Sequence, residues 1–153
     1  MKRIEVKLAV PIVAPLLDVI RELNEDLSKH LAAPISIQDI DPDFQESWTQ
    51  ELLAGQGDEV KTLLALFNEE FFAEGVVAFD ETNAETIVRA CSAVRLRLRE
   101  KYLKGVGDDT LESGDLDLDA LEEPLRKAFM CYLFLATVQE LIIQHLDESI
   151  LGT

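Results

Sequence analysis

Asp115-Leu116-Asp117-Leu118-Asp119 sets three carboxylates on alternate residues, a pattern suited to a hard cation such as calcium. A calcium loop of the EF-hand kind beginning at Asp115 needs glycine at its sixth position, for a sharp turn, and glutamate at its twelfth, to close the coordination shell. Ala120 and Arg126 stand there instead, so the segment reads as a solvated acidic loop. Glu69, Glu70 and Glu74 are a second carboxylate group, explained equally well by a solvent-facing strip. His30 and His145 are the only histidines, and neither belongs to a zinc-type His-Glu-x-x-His or a di-iron Glu-x-x-His pattern. Gly105-Val106-Gly107 and Gly55-Gln56-Gly57 do not extend into phosphate-binding loops, and no Gly-x-Ser-x-Gly elbow occurs. Cys91 and Cys131 lie in helical patterns among apolar neighbours, as small buried hydrophobes of a reducing compartment do. No catalytic, cofactor-binding or metal residue is assigned, and no cofactor is expected.

Two other groups bear on chemistry. Arg89, Arg95, Arg97, Arg99, Lys101 and Lys104 hold six of the fourteen cationic side chains, and a nucleic-acid groove would need them on one face. At about 100° per residue, Arg95 and Arg99 flank one side of an apolar stripe and Arg97, Lys101 and Lys104 the other. Their stems then border buried surface. The eight carboxylates between Asp108 and Glu123 offer the counter-charge. Glu140 shares a helical face with Phe129, Leu133 and Ala136 in the most apolar part of the chain, where a lone carboxylate is costly. A structural ion pair between Arg95 and Glu140 is expected, with Arg89 the alternative partner.

The elements that must position these residues follow from composition and period. Across 153 residues the formal charge is −16, from thirty Asp and Glu against fourteen Lys and Arg. Such a surface disfavours nucleic acid and anionic membranes as partners. Hydrophobic residues make up 48%, enough for a core, and no linker divides the chain, so residues 1–153 are expected to form a single helical domain. No secretory leader opens the sequence, and the apolar run from Ala128 to Val138 is too short to span a bilayer. The expected location is the cytoplasm.

Ile4-Glu5-Val6-Lys7-Leu8 alternates as a strand does, and Ile35-Ser36-Ile37 is a candidate partner for a small ribbon. Pro11 and Pro15 open a helix striped by Leu16, Ile20, Leu23, Leu27 and Leu31. Asp41-Pro42 starts a second helix, carrying Phe44, Trp48, Leu52 and Leu53 and ending at Gly55-Gln56-Gly57. Asp58 caps a third, with Val60, Leu63, Leu64, Phe67 and Phe71, broken at Gly75. Val76 to Phe79 is too short to assign. A long helix begins at Asp80 or Thr82, carries Ile87, Cys91, Val94, Leu98 and Tyr102, and ends at Gly105 and Gly107. The last helix runs from Ala120–Pro124 to about Ile150, apolar all round between Phe129 and Ile143, and should be covered on every side. The expected fold is mostly all-α: a compact helical bundle of about five helices around a central C-terminal helix, with a small two-stranded N-terminal ribbon.

Val88, Leu96 and Leu103 lie away from the main stripe of the long helix and form a candidate interface. Either another helix of the same chain or a second subunit covers them. Ser92-Ala93-Val94-Arg95-Leu96 and Tyr132-Leu133-Phe134-Leu135-Ala136-Thr137-Val138-Gln139-Glu140 resemble the long-helix and last-helix motifs of a mainly actinobacterial all-helical family, a domain of unknown function. That family's motifs read apolar-Asn-Asp-x-Arg-Leu and Tyr-Asp-Trp-Leu-x-x-Leu-Gln-Glu. Arg95, Leu96, Tyr132, Leu135, Gln139 and Glu140 fit, whereas Ser92-Ala93 replaces Asn-Asp and Leu133-Phe134 replaces Asp-Trp. The resemblance covers the C-terminal half. Members are often encoded beside an adaptor of the Clp protease, which implies an accessory or regulatory role and supplies no catalytic residue. The expected function is a non-enzymatic interaction or regulatory protein, acting as a homodimer or beside a protein partner. The alternative is a small-ligand or metal-dependent enzyme built from dispersed carboxylates. A transcriptional regulator is disfavoured by the charge and by the lack of a basic recognition helix.

Overall fold

The computed structural model describes residues 3–27, 42–113 and 121–145. Strand β1 (Arg3–Lys7) leads into α1 (Val10–Leu27), followed by α2 (Pro42–Ala65), α3 (Glu69–Glu74), β2 (Val76–Asp80), α4 (Ala84–Lys101), α5 (Asp108–Ser113) and α6 (Glu123–His145). Among the described residues four long helices and two short ones carry the fold, with a two-stranded antiparallel ribbon. This is the mostly all-α bundle that the periodicities predict.

The ribbon forms, but from a different second strand. β1 pairs with β2 in the register Ile4 to Phe79 and Val6 to Val77. Val77 and Phe79 are buried, with Ile4 and Val6 packed against the same core. Ile35 to Ile37 lie outside the described residues. Two local devices hold β2 in place. Asn68 caps α3 by accepting from the Phe71 amide, and Gly75 ends it in the left-handed region at φ 75°. A Cβ on Gly75 would stand 2.6 Å from the Leu8 carbonyl oxygen, which is why only glycine fits where the ribbon closes. At the other end, Asp80 Oδ1 accepts from the Thr82 and Asn83 amides while Asn83 Oδ1 accepts from the Asp80 amide. The Thr82 hydroxyl and those amides hold the Asp80 carboxyl below its usual range.

α2 corrects the sequence reading most. It continues through Gly55 and Gly57 instead of stopping there, and Asp58 lies inside the helix rather than capping a new one. Two mid-helix glycines cost about 1 kcal/mol each. Burial of Val60 and Leu63, and a bond from Gln56 Nε2 to the Leu27 carbonyl at 2.8 Å, outweigh that local penalty. The helix ends at Ala65, short of Phe67 and Phe71. Those two rings instead meet edge to face with centroids 5.1 Å apart, across the turn into α3.

α6 packs against both α1 and α4, and α2 packs on α4 and α1. The α1 stripe of Leu16, Ile20, Leu23 and Leu27 is fully core, while Leu31 lies outside the described residues. α4 likewise buries Ile87, Cys91, Val94 and Leu98, and it ends at Lys101, before Gly105. α6 is central but not enclosed. Phe129, Cys131, Tyr132, Leu135, Val138 and Ile142 are buried, whereas Ile143 is 50% exposed. By length and composition α6 is the one described helix able to cross a bilayer. In this fold its apolar face fills the bundle core.

Candidate functional site

Among the described residues, the α4–α6 seam holds a buried polar network. Gln139 is buried among apolar residues, which is expensive unless its amide is satisfied. Its Nε2 donates to the Val88 carbonyl at 2.8 Å and to Ser92 Oγ at 2.7 Å, and its Oε1 accepts from Arg95 Nη1 at 2.7 Å. Arg95 Nη2 also reaches the Tyr132 hydroxyl at 3.1 Å, and its guanidinium stacks 4.4 Å above the Tyr132 ring centre. Cation–π stacking of this kind anchors arginine without a carboxylate. Arg95, Tyr132 and Gln139 thus form one unit across the seam.

The expected Arg95–Glu140 ion pair does not form. Glu140 is exposed, and its Oε1 accepts from Gln144 Nε2 on the same helix. The alternative partner, Arg89, binds Glu59 at 2.9 Å and Glu85 at 2.7 Å instead. The sequence error is one residue, about 100° of helix rotation. Had Tyr132 been taken as the reference for the buried face, Gln139 lay seven residues on, two turns along the same side.

The cationic run separates as the helical angles require. Arg95 faces α6, while Arg97 reaches Asp26 of α1 at 2.7 Å with Lys101 at 3.9 Å from the same carboxylate. Lys104 pairs with Glu100. Glu59's carboxylate raises the pKa of Arg89 further. The counter-charges described are thus Asp26, Glu59, Glu85 and Glu100, and the Asp115–Asp119 segment lies outside the described residues.

The candidate interface of Val88, Leu96 and Leu103 is not one exposed face. Leu103 is 1% exposed and belongs to the core, Val88 packs half-buried against it, and only Leu96 is open to solvent. Two of the three are therefore covered by their own chain.

Enzyme-like features are sparse in the described residues. Cys91 and Cys131 are free and buried, and burial pushes both thiols up to about 12, far from a nucleophilic thiolate. No group of three His, Cys, Asp or Glu side chains is placed to hold a metal among the described residues. Glu69, Glu70 and Glu74 are exposed, as a solvent-facing strip requires, and His30 lies outside the described residues. A cleft of about 340 Å³ between α1 and α6 is bordered by Asp18, Glu22, Glu123, Lys127 and Tyr102. Asp18 there already pairs with Arg21.

Among the described residues the most exposed large apolar side chain, Phe44, is on α2, with Trp48 one turn on. Phe44 is 69% and Trp48 49% exposed, although they stand among the apolar residues of the helix that Asp41-Pro42 is expected to start. They lie on one ridge of residues four apart: Phe44, Trp48, Leu52, Gln56, Val60 and Leu64. Val60 is buried, Leu52 is half-buried, and the ridge then emerges into solvent. On another side of the helix an open trough of about 570 Å³ separates Gln50, Leu53, Ala54 and Gly57 from Asn24 and Glu25 of α1. The signal that marks this half-helix is the glycine pair, before which no described residue of α2 is buried.

Comparison with protein-family models, curated proteins and solved structures finds no match to this chain. The functional reading therefore rests on its own surfaces.

Proposed function

We propose that this chain is a non-enzymatic cytoplasmic interaction protein that presents the N-terminal half of α2 to a protein partner. The observation that carries this reading is the exposure of Phe44 and Trp48 on one ridge of a helix whose other half is firmly packed. Tryptophan and phenylalanine left in water forgo burial worth about 1.5–3 kcal/mol for a Phe-sized side chain, and aromatic anchors dominate the energetics of protein interfaces. Two unpaired buried cysteines suit a reducing compartment. Self-association through α4 is disfavoured, since Leu103 and Val88 already serve the core.

The test is recovery of the full-length protein from its native cells, with and without Phe44→Ala. The unmodified chain should bring down one partner protein in stoichiometric amount, and the variant should lose it while melting almost unchanged. A variant that keeps the partner removes the reading. So does one that loses the 3–5 kcal/mol typical of a core Phe→Ala change.

A further inference from the structure

The interaction reading leaves open what the partner looks like, and the α2 ridge carries that further. Phe44, Trp48 and Leu52 span about 12 Å of helix at 1.5 Å per residue, two turns of apolar anchors on a convex surface. A convex helical ridge is complemented by a groove, the arrangement in which an amphipathic helix lays spaced anchors into a hydrophobic cleft. The trough on the α1 side leaves room for a groove wall to come up beside the helix.

Charge then selects among grooves. Between Lys29 and Lys61 the sequence has no Lys or Arg, Lys61 standing at the trough's edge beside Asp58, and Pro42 to Val60 carries Asp43, Glu46, Glu51, Asp58 and Glu59. Glu46, Glu51 and Asp58 are exposed, and Glu51 sits next to the ridge in helical angle. An acidic rim meeting this helix would be repelled, whereas Lys and Arg around a groove would be attracted and would speed docking. A second copy of the chain is a poor occupant, because a body of formal charge −16 would meet an already acidic helix. We propose that the Phe44–Trp48–Leu52 ridge inserts into an apolar groove with a basic rim on a different protein.

The glycine pair fits this use. Among the described residues no packed neighbour lies within 4 Å of where a Cβ on Gly55 or Gly57 would stand, so packing does not demand glycine at either position. They fall where the helix leaves the body, on either side of the Gln56 anchor to Leu27. Two residues that weaken a helix at that point ease its adjustment to a partner.

Trp48 is the only tryptophan, so its emission reports on the ridge alone. The experiment titrates the full chain with a helical-hairpin peptide of two Leu/Lys helices, which presents an apolar groove between basic borders, and separately with a Leu/Glu hairpin of identical pattern. The expected result is a saturable blue shift with the Leu/Lys peptide alone, weakened about tenfold by Phe44→Ala, which keeps the reporter. Glu51→Lys should weaken it as well. No shift, an equal shift with the Leu/Glu peptide, or indifference to Phe44→Ala overturns the proposal. A blue shift that grows with the concentration of the chain alone, with a doubling of mass abolished by Phe44→Ala, overturns it in favour of a second copy. If the native partner is lost from Phe44→Ala but the Leu/Lys peptide does not bind, the basic groove is wrong and the interaction reading survives. If Phe44→Ala affects neither, both fall.

Discussion

Arg95 Nη1 donates to Gln139 Oε1 at 2.7 Å, which joins α4 to α6 through a neutral amide rather than through the carboxylate one residue further on. The same amide donates back to α4 at Val88 and Ser92, so one side chain answers three groups. Removing it strands the partners of a half-buried guanidinium whose Nε already lacks a hydrogen bond. Unsatisfied buried groups cost about 1–3 kcal/mol each.

Gln139→Leu should therefore lower unfolding stability by about 2 kcal/mol, although the replacement is apolar and similar in size. Glu140→Ala, one residue away and exposed, should change it by less than about 0.5 kcal/mol. Urea unfolding of both variants checks this. A double-mutant cycle should find coupling between Arg95 and Gln139 and none between Arg95 and Glu140.

Gly55→Ala with Gly57→Ala should stabilise the protein by about 1–2 kcal/mol. Both positions are helical, neither has positive φ, and neither Cβ would crowd a packed neighbour among the described residues. The contrast is Gly75→Ala. Its positive φ and the 2.6 Å approach to Leu8 should make it destabilising by about 2 kcal/mol or more. Thermal melts of the variants will show whether the two kinds of glycine separate.

Leu103→Ala and Leu96→Ala should part company for the same reason of burial. The first removes a core side chain and should cost about 2–5 kcal/mol, while the second should cost under about 1 kcal/mol. Similar values for both, in denaturant unfolding, would return Leu96 to a packed interface.

The two thiols predict an alkaline slope. A cysteine whose folded pKa is raised to about 12 from 9.0 keeps its proton in the native state over a range where the unfolded chain loses it. The unfolded state then binds fewer protons, so stability falls as pH rises from about 9 towards 12 and is insensitive to these groups below about 8. Cys91→Ala with Cys131→Ala should show a shallower alkaline loss than the unmodified protein. Native protein at neutral pH should also resist alkylation until denaturant is added.

What the sequence determined by itself is local in origin. The stripes of α1 and α4, the N-terminal strand, the cysteines' apolar setting and the stop at Gly75 all follow from repeat angles and backbone permissions that act over a few residues. The split of the cationic run to two sides of α4 follows from the same angles. Other outcomes depended on which groups distant chain segments bring together. β2 became the partner of β1 because Val77 and Phe79 find the core there, a pairing more than seventy residues apart. α2 crossed its glycines because a carbonyl at Leu27 was waiting for Gln56, and because Val60 and Leu63 had a core to enter. Gln139 rather than Glu140 met Arg95 because the rotation of α6 is set by its packing on α1 and α4, and the apolar pattern all round this helix leaves that rotation undetermined. The exposure of Phe44 and Trp48 has the same cause. An amphipathic stripe states which side of a helix would be buried, and only the tertiary fold decides how far along its length there is anything to bury it against.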